Sequence, residues 1–405
     1  MSRVITTTLE KICRSEKGEI ISGPFGSNIS SKYFVKKGFP VVRGNNLSLS
    51  LDKFYDDGFV FVTQEKADEL NCYAQKMDLI FTSAGTIGQV GLIPDTARFD
   101  KYVISNKQIR VRIDTDKVDI LYAYYWFASP WIQKLLALSN KGSTVPLLTL
   151  WEVKNLPISY PEDIKKQRQI ALVLETITDK IENNNKIIAE LESMAKTIYD
   201  YWFLQFEFPN EEGKPYKSSG GKMVWNEELK REIPEGWKKG TFADLLDIGN
   251  GKDHKELGDG NIPVYGSGGV MRTVNASIYN GESVLIPRKG TLNNIIYVNG
   301  AFWTVDTMFY TKMKEAHSAI FAYYSAKLYD FEKLNTGTGV PSMTSSIIYN
   351  LKIVIPPKEV LESFDNYVQA FYKQMNERER ENRELASLRD FLLPLLMNGQ
   401  VGFKE

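Results

Sequence analysis

The chain has 405 residues, enough for about two or three domains, with 43% apolar residues and 50 basic against 50 acidic side chains. That balance excludes a histone-like wrapper or a polybasic tail, so any nucleic-acid site has to be local. Two cysteines (Cys13, Cys72) and two histidines (His254, His317) cannot build a disulfide framework or a Cys/His zinc site of usual spacing; they point to a reducing, cytosolic compartment and to no metal site.

The N-terminal stretch MSRVITTTLEKICRSEKG lacks the apolar core and small-residue cleavage site of a leader peptide. Short runs rich in β-branched and aromatic residues follow, punctuated by Gly, Asn and Asp, and predict strands and turns. Ile120 to Leu138 is apolar enough to suggest a membrane span, but Pro130, Gln133 and Lys134 interrupt it. It is expected as a helix packed inside a soluble domain. A Gly-rich loop and a closing strand come next, in GSTVPLLTLWEVKNLPISYP from Gly142 to Pro161.

From Glu162 to about Phe203 there is no Gly or Pro, and the apolar residues keep a heptad beat. Ile170, Ile177, Leu191 and Ile198 fall on one heptad position; Leu174, Ile181, Ile188, Ala195 and Trp202 fall on its partner, with Asn184 the polar intruder. This predicts a coiled-coil helix of about 60 Å at ~1.5 Å per residue. Residues 209–235 are polar and rich in Gly, Ser and Pro, which predicts a linker with some order at Trp225.

The chain then repeats itself. Gly337 to Pro356, GTGVPSMTSSIIYNLKIVIP, matches Gly142 to Pro161 without a gap at Gly, Val, Pro, Thr, Asn, Leu, Ile and Pro. Unrelated segments would agree at about one position in twenty. FPVV from Phe39 corresponds to IPVY from Ile262, SAGTIGQVGLI from Ser83 to RKGTLNNIIYV from Arg288, and LYAYY from Leu121 to IFAYY from Ile320. The offset shrinks from 223 through 205 and 199 to 195, so the first copy carries longer loops toward its N-terminal half.

Two globular copies are therefore expected at 1–160 and 236–357, each followed by a spacer helix, 161–208 and 358–405. The second helix keeps the stripe at Phe364, Val368, Phe371 and Met375, turns polar at Arg378 and Asn382, and resumes at Leu385, Leu388, Leu392 and Leu396. Two exposed apolar stripes cost free energy in water and should find each other. The expected fold is α+β: two similar β-rich domains with packed helices, separated by an antiparallel two-helix coiled coil and related by an internal pseudo-two-fold repeat. Asn184 is expected to set the register.

No catalytic constellation emerges. SSGGKM ends in Met223 and GNGKD in Asp253, so both lack the hydroxyl of a Walker phosphate loop. GSGG at Gly266 to Gly269 has no helix signature behind it, and PEDIK at Pro161 sits where acidic residues suit the start of a helix. The chain has no Asn/Asp-Pro-Pro-aromatic motif, and the first copy has no histidine.

Binding remains. Residues 1–160 hold 20 basic against 16 acidic side chains and 236–357 hold 12 against 10, whereas 161–208 hold 6 against 9 and 358–405 hold 7 against 9. Positive charge thus lies on the globular copies. The run KYVISNKQIRVR contributes Lys101, Lys107, Arg110 and Arg112, and a second cluster holds Lys36, Lys37, Arg43, Asn45 and Asn46. In the other copy Lys252, Lys255, Arg272, Arg288, Lys289, Asn293 and Asn294 sit in Gly-rich turns. Arg and Asn suit G and A edges in the major groove, and Lys suits phosphates.

AGTIG (Ala84 to Gly88), SNKQIRV (Ser105 to Val111), the Gly-rich loop leading to NLPISYP, and QRQIALVLETITDKI (Gln167 to Ile181) together resemble type I restriction-modification specificity subunits over nearly the whole chain. The family's helix string matches at Pro161, Gln167, Ile170, Ala171, Leu174, Asp179 and Ile181; the second copy departs, reading KEVLESFDNYVQAFYKQM without the Gln and Ile-Ala. The resemblance implies two target-recognition domains with conserved spacer helices. It further implies a non-catalytic, cytoplasmic subunit that brings two methyltransferase subunits, and in the full complex two endonuclease subunits, to a bipartite asymmetric site on double-stranded DNA. S-adenosylmethionine, ATP and Mg would bind those partners and not this chain, and no membrane is involved. Each copy is expected to read about three to five base pairs, one short half-site, with the coiled-coil length setting the gap. A subunit serving methylation only, a transferase or nuclease, and a protein- or glycan-binding two-domain scaffold are the alternatives.

Overall fold

The computed structural model describes residues 3–16, 18–138, 147–337 and 339–402, so most of the Gly-rich loop expected from Gly142 lies outside the described residues. The chain forms two compact units, Met1–Asn185 with Glu379–Glu405, and Lys186–Arg378.

In the first unit the opening strand Val4–Thr8 pairs antiparallel with the closing strand Pro157–Pro161, Val4 opposite Pro161. Two four-stranded sheets lie between them in sequence. One orders Ile20–Ser22, Gln108–Val111, Leu79–Thr82 and Val90–Leu92; the other orders Val60–Val62, Phe39–Val42, Lys101–Ile104 and Tyr73–Gln75. The pairings are antiparallel except that Val41 and Val42 run parallel to Val103 and Ile104.

The second unit repeats this plan. Lys238–Thr241 pairs antiparallel with Lys352–Ile355, bracketing the copy as before. One six-stranded sheet orders Leu246–Asn250, Met308–Met313, Tyr279–Pro287, Ile296–Thr304, Ile262–Gly266 and Gly269–Val274. Its parallel pairing joins Val264 to Trp303 and Tyr265 to Thr304. The long strand Ile296–Thr304 occupies the place that Val90–Leu92 and Lys101–Ile104 share in the first unit, where an inserted loop splits one strand into two and one sheet into two. That insertion accounts for part of the shrinking sequence offset.

Residues 209–235, expected as a linker, are more ordered than their composition suggests. Met223–Asn226 and Arg231–Pro234 form a hairpin, and Phe208, Ile233 and Trp237 belong to one apolar core. Aromatic anchors there outweigh the polar, Gly-rich background.

The apolar run from Ile120 becomes two helices, Ile120–Phe127 and Pro130–Leu138. Asp119 caps the first, its carboxylate accepting from the Leu121 and Tyr122 N–H groups at 3.0 and 3.1 Å. Pro130, which lacks an N–H, starts the second. Tyr122, Tyr124, Tyr125 and Phe127 are fully buried among residues such as Phe81 and Leu79, which explains the aromatic density. Among the described residues no helix is long and apolar enough to cross a membrane. Cys13 and Cys72 are free and buried, and burial pushes their thiols up to about 12 and about 11.

The two long helices run Ile164–Tyr199 and Lys358–Met397 and pack against each other. Asp163 caps the first, accepting from the Lys165 N–H at 2.9 Å, so the carboxylate of PEDIK has a structural role. In the first unit Ile170 and Leu174 share a core with Leu393, Leu396 and Met397, and Asn184 meets Glu381 and Asn382, each at 2.9 Å. In the second unit Leu191, Tyr199 and Trp202 share a core with Phe364, Val368 and Met375. Rising numbers on one helix meet falling numbers on the other, so the pairing is antiparallel.

Ile177 is also buried, and Ile181, Ile188, Phe371, Leu385 and Leu392 are half-buried. Leu388 is the exception: it is 45% exposed, and Leu393 takes the inward place beside Leu392 and Leu396. The two polar interruptions of the stripes, at Asn184 and Asn382, fall opposite each other, and Asn382 Nδ2 also donates to Asn185 Oδ1 at 2.8 Å. Slipping either helix by one turn would put an amide against Leu or Ile, at the cost of an unpaired buried polar group.

Phe364 is fully buried, with the rings of Phe203, Trp202 and Tyr199 at 4.8, 5.8 and 6.3 Å. Phe364→Ala is expected to destabilise the fold by about 3–5 kcal/mol, measured as a lower urea midpoint at unchanged slope.

Candidate nucleic-acid interface

Parallel strands cannot be joined by a tight turn, so each parallel pair delivers two carboxyl ends, and the loops behind them, to one edge. In open sheets such edges are where ligands collect. In both units that edge is assembled by the same backbone hydrogen bonds. The Ser105 N–H donates to Val42 O at 2.9 Å, as the Val305 N–H does to Tyr265 O at 3.0 Å. A tight turn follows in each, closed by Gln108 N–H to Ser105 O at 3.1 Å and by Met308 N–H to Val305 O at 2.9 Å.

Three more pairs complete the frame. The Gly23 N–H donates to Gln108 O at 2.8 Å and the Gly251 N–H to Met308 O at 3.0 Å. Ser83 N–H reaches Lys107 O at 2.7 Å, and Arg288 N–H reaches Thr307 O at 2.8 Å. Leu148 N–H then donates to Ser83 O at 2.7 Å, and Met343 N–H to Arg288 O at 2.9 Å, which fastens the chain leaving each Gly-rich loop to the same edge. Gly23 and Gly251 occupy twin positions where no side chain fits: a Cβ would lie 1.8 Å from Ser105 O in one and 1.9 Å from Val305 O in the other.

Each frame encloses a cleft. The cleft of the first unit, about 440 Å³, is lined by Arg43, Asn45, Thr86, Asn106, Lys107 and Gln108 among others. The cleft of the second, about 650 Å³, is lined by Asp253, His254, Lys255, Ser267, Asp306 and Thr307 among others. One is therefore cationic and amide-rich, whereas the other carries two carboxylates. The Lys255 N–H donates to Asp253 Oδ1 at 3.1 Å and holds that carboxyl below the usual carboxylate range. Buried side-chain atoms without a hydrogen-bond partner include Arg43 Nε and Gln108 Nε2 in the first cleft and His254 Nδ1 in the second. Such groups are rare enough that a ligand is a reasonable partner.

Of the basic and amide residues singled out in the sequence, Arg43, Asn45 and Lys107 come together in the first cleft, and Lys255 enters the second. Lys36, Lys37 and Lys101 are exposed outside the lining, as are Lys252, Arg288 and Lys289. Gly290 joins the last two to the second cleft's wall, since a Cβ there would lie 2.7 Å from Ser267 Oγ.

Other candidates have internal roles. Asn46 is fully buried and donates to Tyr55 O and Asp57 O at 2.9 and 2.8 Å. Arg110, 3% exposed, donates to Gly18 O, and Arg112 pairs with Asp78 at 2.9 Å. Gln108–Val111 is covered on both faces, so alternation along the strand does not bring Arg110 to the surface. Asn293 holds Asp330 and the Phe331 N–H, Asn294 donates to Ser267 O at 2.8 Å, and Arg272 donates to Leu257 O at 2.7 Å. Asn46 and Arg110 are thereby corrected from base-reading candidates to parts of the scaffold.

Sequence reasoning passed over Asn106, Gln108, His254 and Asp306. Placing SNKQI from Ser105 beside VDTMF from Val305 would have found the turn positions, because these stretches follow the parallel strands in both copies.

The type I restriction modification DNA specificity domain model matches residues 5–193 and 234–382. The type I restriction enzyme MjaIX specificity subunit of Methanocaldococcus jannaschii is 26% identical over 357 residues, covering 82% of this chain and 79% of that one. The HindI specificity subunit of Haemophilus influenzae is 22% identical over 342 residues, covering 66% and 74%. Among solved structures, the S subunit of a type I restriction-modification system from M. genitalium shares the fold at a TM-score of 0.58, with 16% identity over 98% of this chain and 96% of that chain.

Gly23→Ala and Gly251→Ala each push a methyl group into a backbone carbonyl. Each is expected to cost roughly 1–3 kcal/mol, and amide exchange should accelerate around the turn of the substituted unit but not around its twin.

Proposed function

This chain belongs to the type I restriction modification DNA specificity family, and from that premise we propose that it is a non-catalytic subunit reading a bipartite, asymmetric site on double-stranded DNA. The observation that carries this reading is the pair of clefts, alike in backbone and unlike in side chains. A single chain with two such readers distinguishes two different half-sequences, which a symmetric homodimer of one reader does not. The two copies of one scaffold also offer near-equivalent docking faces to a pair of partners. In this reading those partners are two methyltransferase subunits and, in a restriction complex, two endonuclease subunits. S-adenosylmethionine, ATP and magnesium belong to the partners, and the complex works in the cytoplasm. The methyltransferase extrudes the adenine it modifies.

Lysines supply the sequence-independent part of the affinity. Lys36, Lys37, Lys101 and Lys107 are exposed on the first unit. Neutralising about four phosphates would lower affinity roughly a hundredfold between about 50 and 200 mM salt. Lys107→Ala should then weaken binding to every sequence alike and reduce the salt slope by about 1, as measured by titrations on a fixed duplex at several salt concentrations.

Exchanging residues 1–160 for the corresponding part of a relative, with the methyltransferase co-expressed, should alter one half of the methylated motif and leave the other intact. Genome-wide mapping of methyladenine reads this out. A motif changed in both halves, or in neither, would defeat the two-reader account.

A further inference from the structure

The twin turns behind the parallel strands each present, at matching positions, a polar side chain that the fold does not use. In the first unit it is Asn106 and in the second Asp306; both are exposed, and both line their clefts. Their equivalence is set by hydrogen bonding, not by sequence likeness. Each follows the residue whose N–H is tied to the neighbouring parallel strand, and each lies inside the turn closed by Gln108 or Met308. Neither side chain is hydrogen-bonded to a described residue, whereas Asn45, Asn46, Asn293 and Asn294 all are. The Asn106 amide lies along Gly26, where a Cβ would come within 2.9 Å of its Nδ2, so the loop keeps room for it.

We propose that Asn106 and Asp306 are the paired specificity-determining residues of this chain, each directed at a base edge of its own half-site. This rests on the reading of the clefts as the DNA interface. An amide offers one donor face and one acceptor face, which matches the N6 and N7 edge of adenine in the major groove. A carboxylate only accepts, so it matches an exposed amino group, on cytosine N4 above all, and it opposes the O6 and N7 acceptors of guanine. The two half-sites therefore differ in kind at the positions these residues face: adenine for Asn106 and cytosine for Asp306, since adenine N7 would set an acceptor against the carboxylate. A carboxylate so near phosphates also weakens non-specific attachment of the second unit, which makes its binding depend more on the correct base.

The test uses the full chain in complex with its methyltransferase subunits and a random duplex pool, sequenced after selection. Asn106→Asp should change the preferred base at one position of one half-site, and Asp306→Asn at one position of the other. Discrimination there should shift roughly five- to hundredfold. Asn106→Ala and Asp306→Ala should flatten the preference at the same positions while the remaining motif persists. Because both side chains are exposed, thermal unfolding of all four variants should match the parent; a variant that loses stability would show the side chain to be structural and overturn its assignment. An unchanged motif in the Asp and Asn variants, with Lys107→Ala still weakening binding, would overturn the base-reading role while leaving the clefts as the interface. Enrichment of no sequence by the parent complex would bring down the DNA reading itself.

Discussion

In each unit the parallel pairing of two short strands is the constraint on which the site depends: Val41 and Val42 beside Val103 and Ile104, and Val264 and Tyr265 beside Trp303 and Thr304. Nearly all other strand contacts in the globular parts are antiparallel, and antiparallel neighbours can be joined where they end. A parallel pair cannot, so the chain leaves both strands at the same edge and must return from elsewhere. The loops that gather there are held by main-chain bonds, from the Gly23 or Gly251 N–H on one side to the Leu148 or Met343 N–H on the other. Because the frame is backbone, the side chains around it are free to change.

That freedom is visible in how far the two clefts have diverged. Arg43 and Asn45 border one; the topologically matching residues, Gly266 and Gly268, border the other. Lys107 is matched by Thr307, and Asn106 by Asp306. The glycines that allow close backbone approach stay in place, since a Cβ at Gly23 or Gly251 would overlap a carbonyl oxygen. Conserving geometry while exchanging chemistry is what a chain needs in order to read two unlike half-sequences with one kind of domain.

The start of each long helix is secured differently. In the first unit Gln167 is fully buried: its amide donates to Pro161 O at 2.8 Å and its carbonyl accepts from the Asp119 N–H at 2.8 Å, tying the helix to the cap of the aromatic helix. The second unit lacks that glutamine. There Asp365, two turns into the helix, pairs with His317 Nδ1 at 2.7 Å and accepts from Gln369 Nε2 at 3.1 Å, and the hydrogen bond that the His317 ring donates to Asp365 raises the His317 pKa above its ordinary value. A single glutamine satisfied by backbone is insensitive to pH; a His–Asp pair is not. The departure of the second helix from the family's string thus has a local physical counterpart.

The duplication, the two globular copies and the heptad stripes were legible in the sequence because they are periodic: identities spaced by a shrinking offset, apolar residues spaced by seven. The facing of Asn184 and Asn382 followed from the same periods once the helices paired antiparallel. The hairpin within 209–235 was hidden because two aromatic anchors are a weak signal against a polar background. The clefts were hidden for a deeper reason. Charge and residue type marked Arg110 and Asn46 as readily as Lys107, yet two are buried and one is exposed, because strand coverage and turn closure arise between segments distant in the chain. Composition and period determined what repeats; only non-local hydrogen bonding decided which side chains are left unpaired at the open edge, since a polar group becomes available to a ligand when the fold has no partner for it.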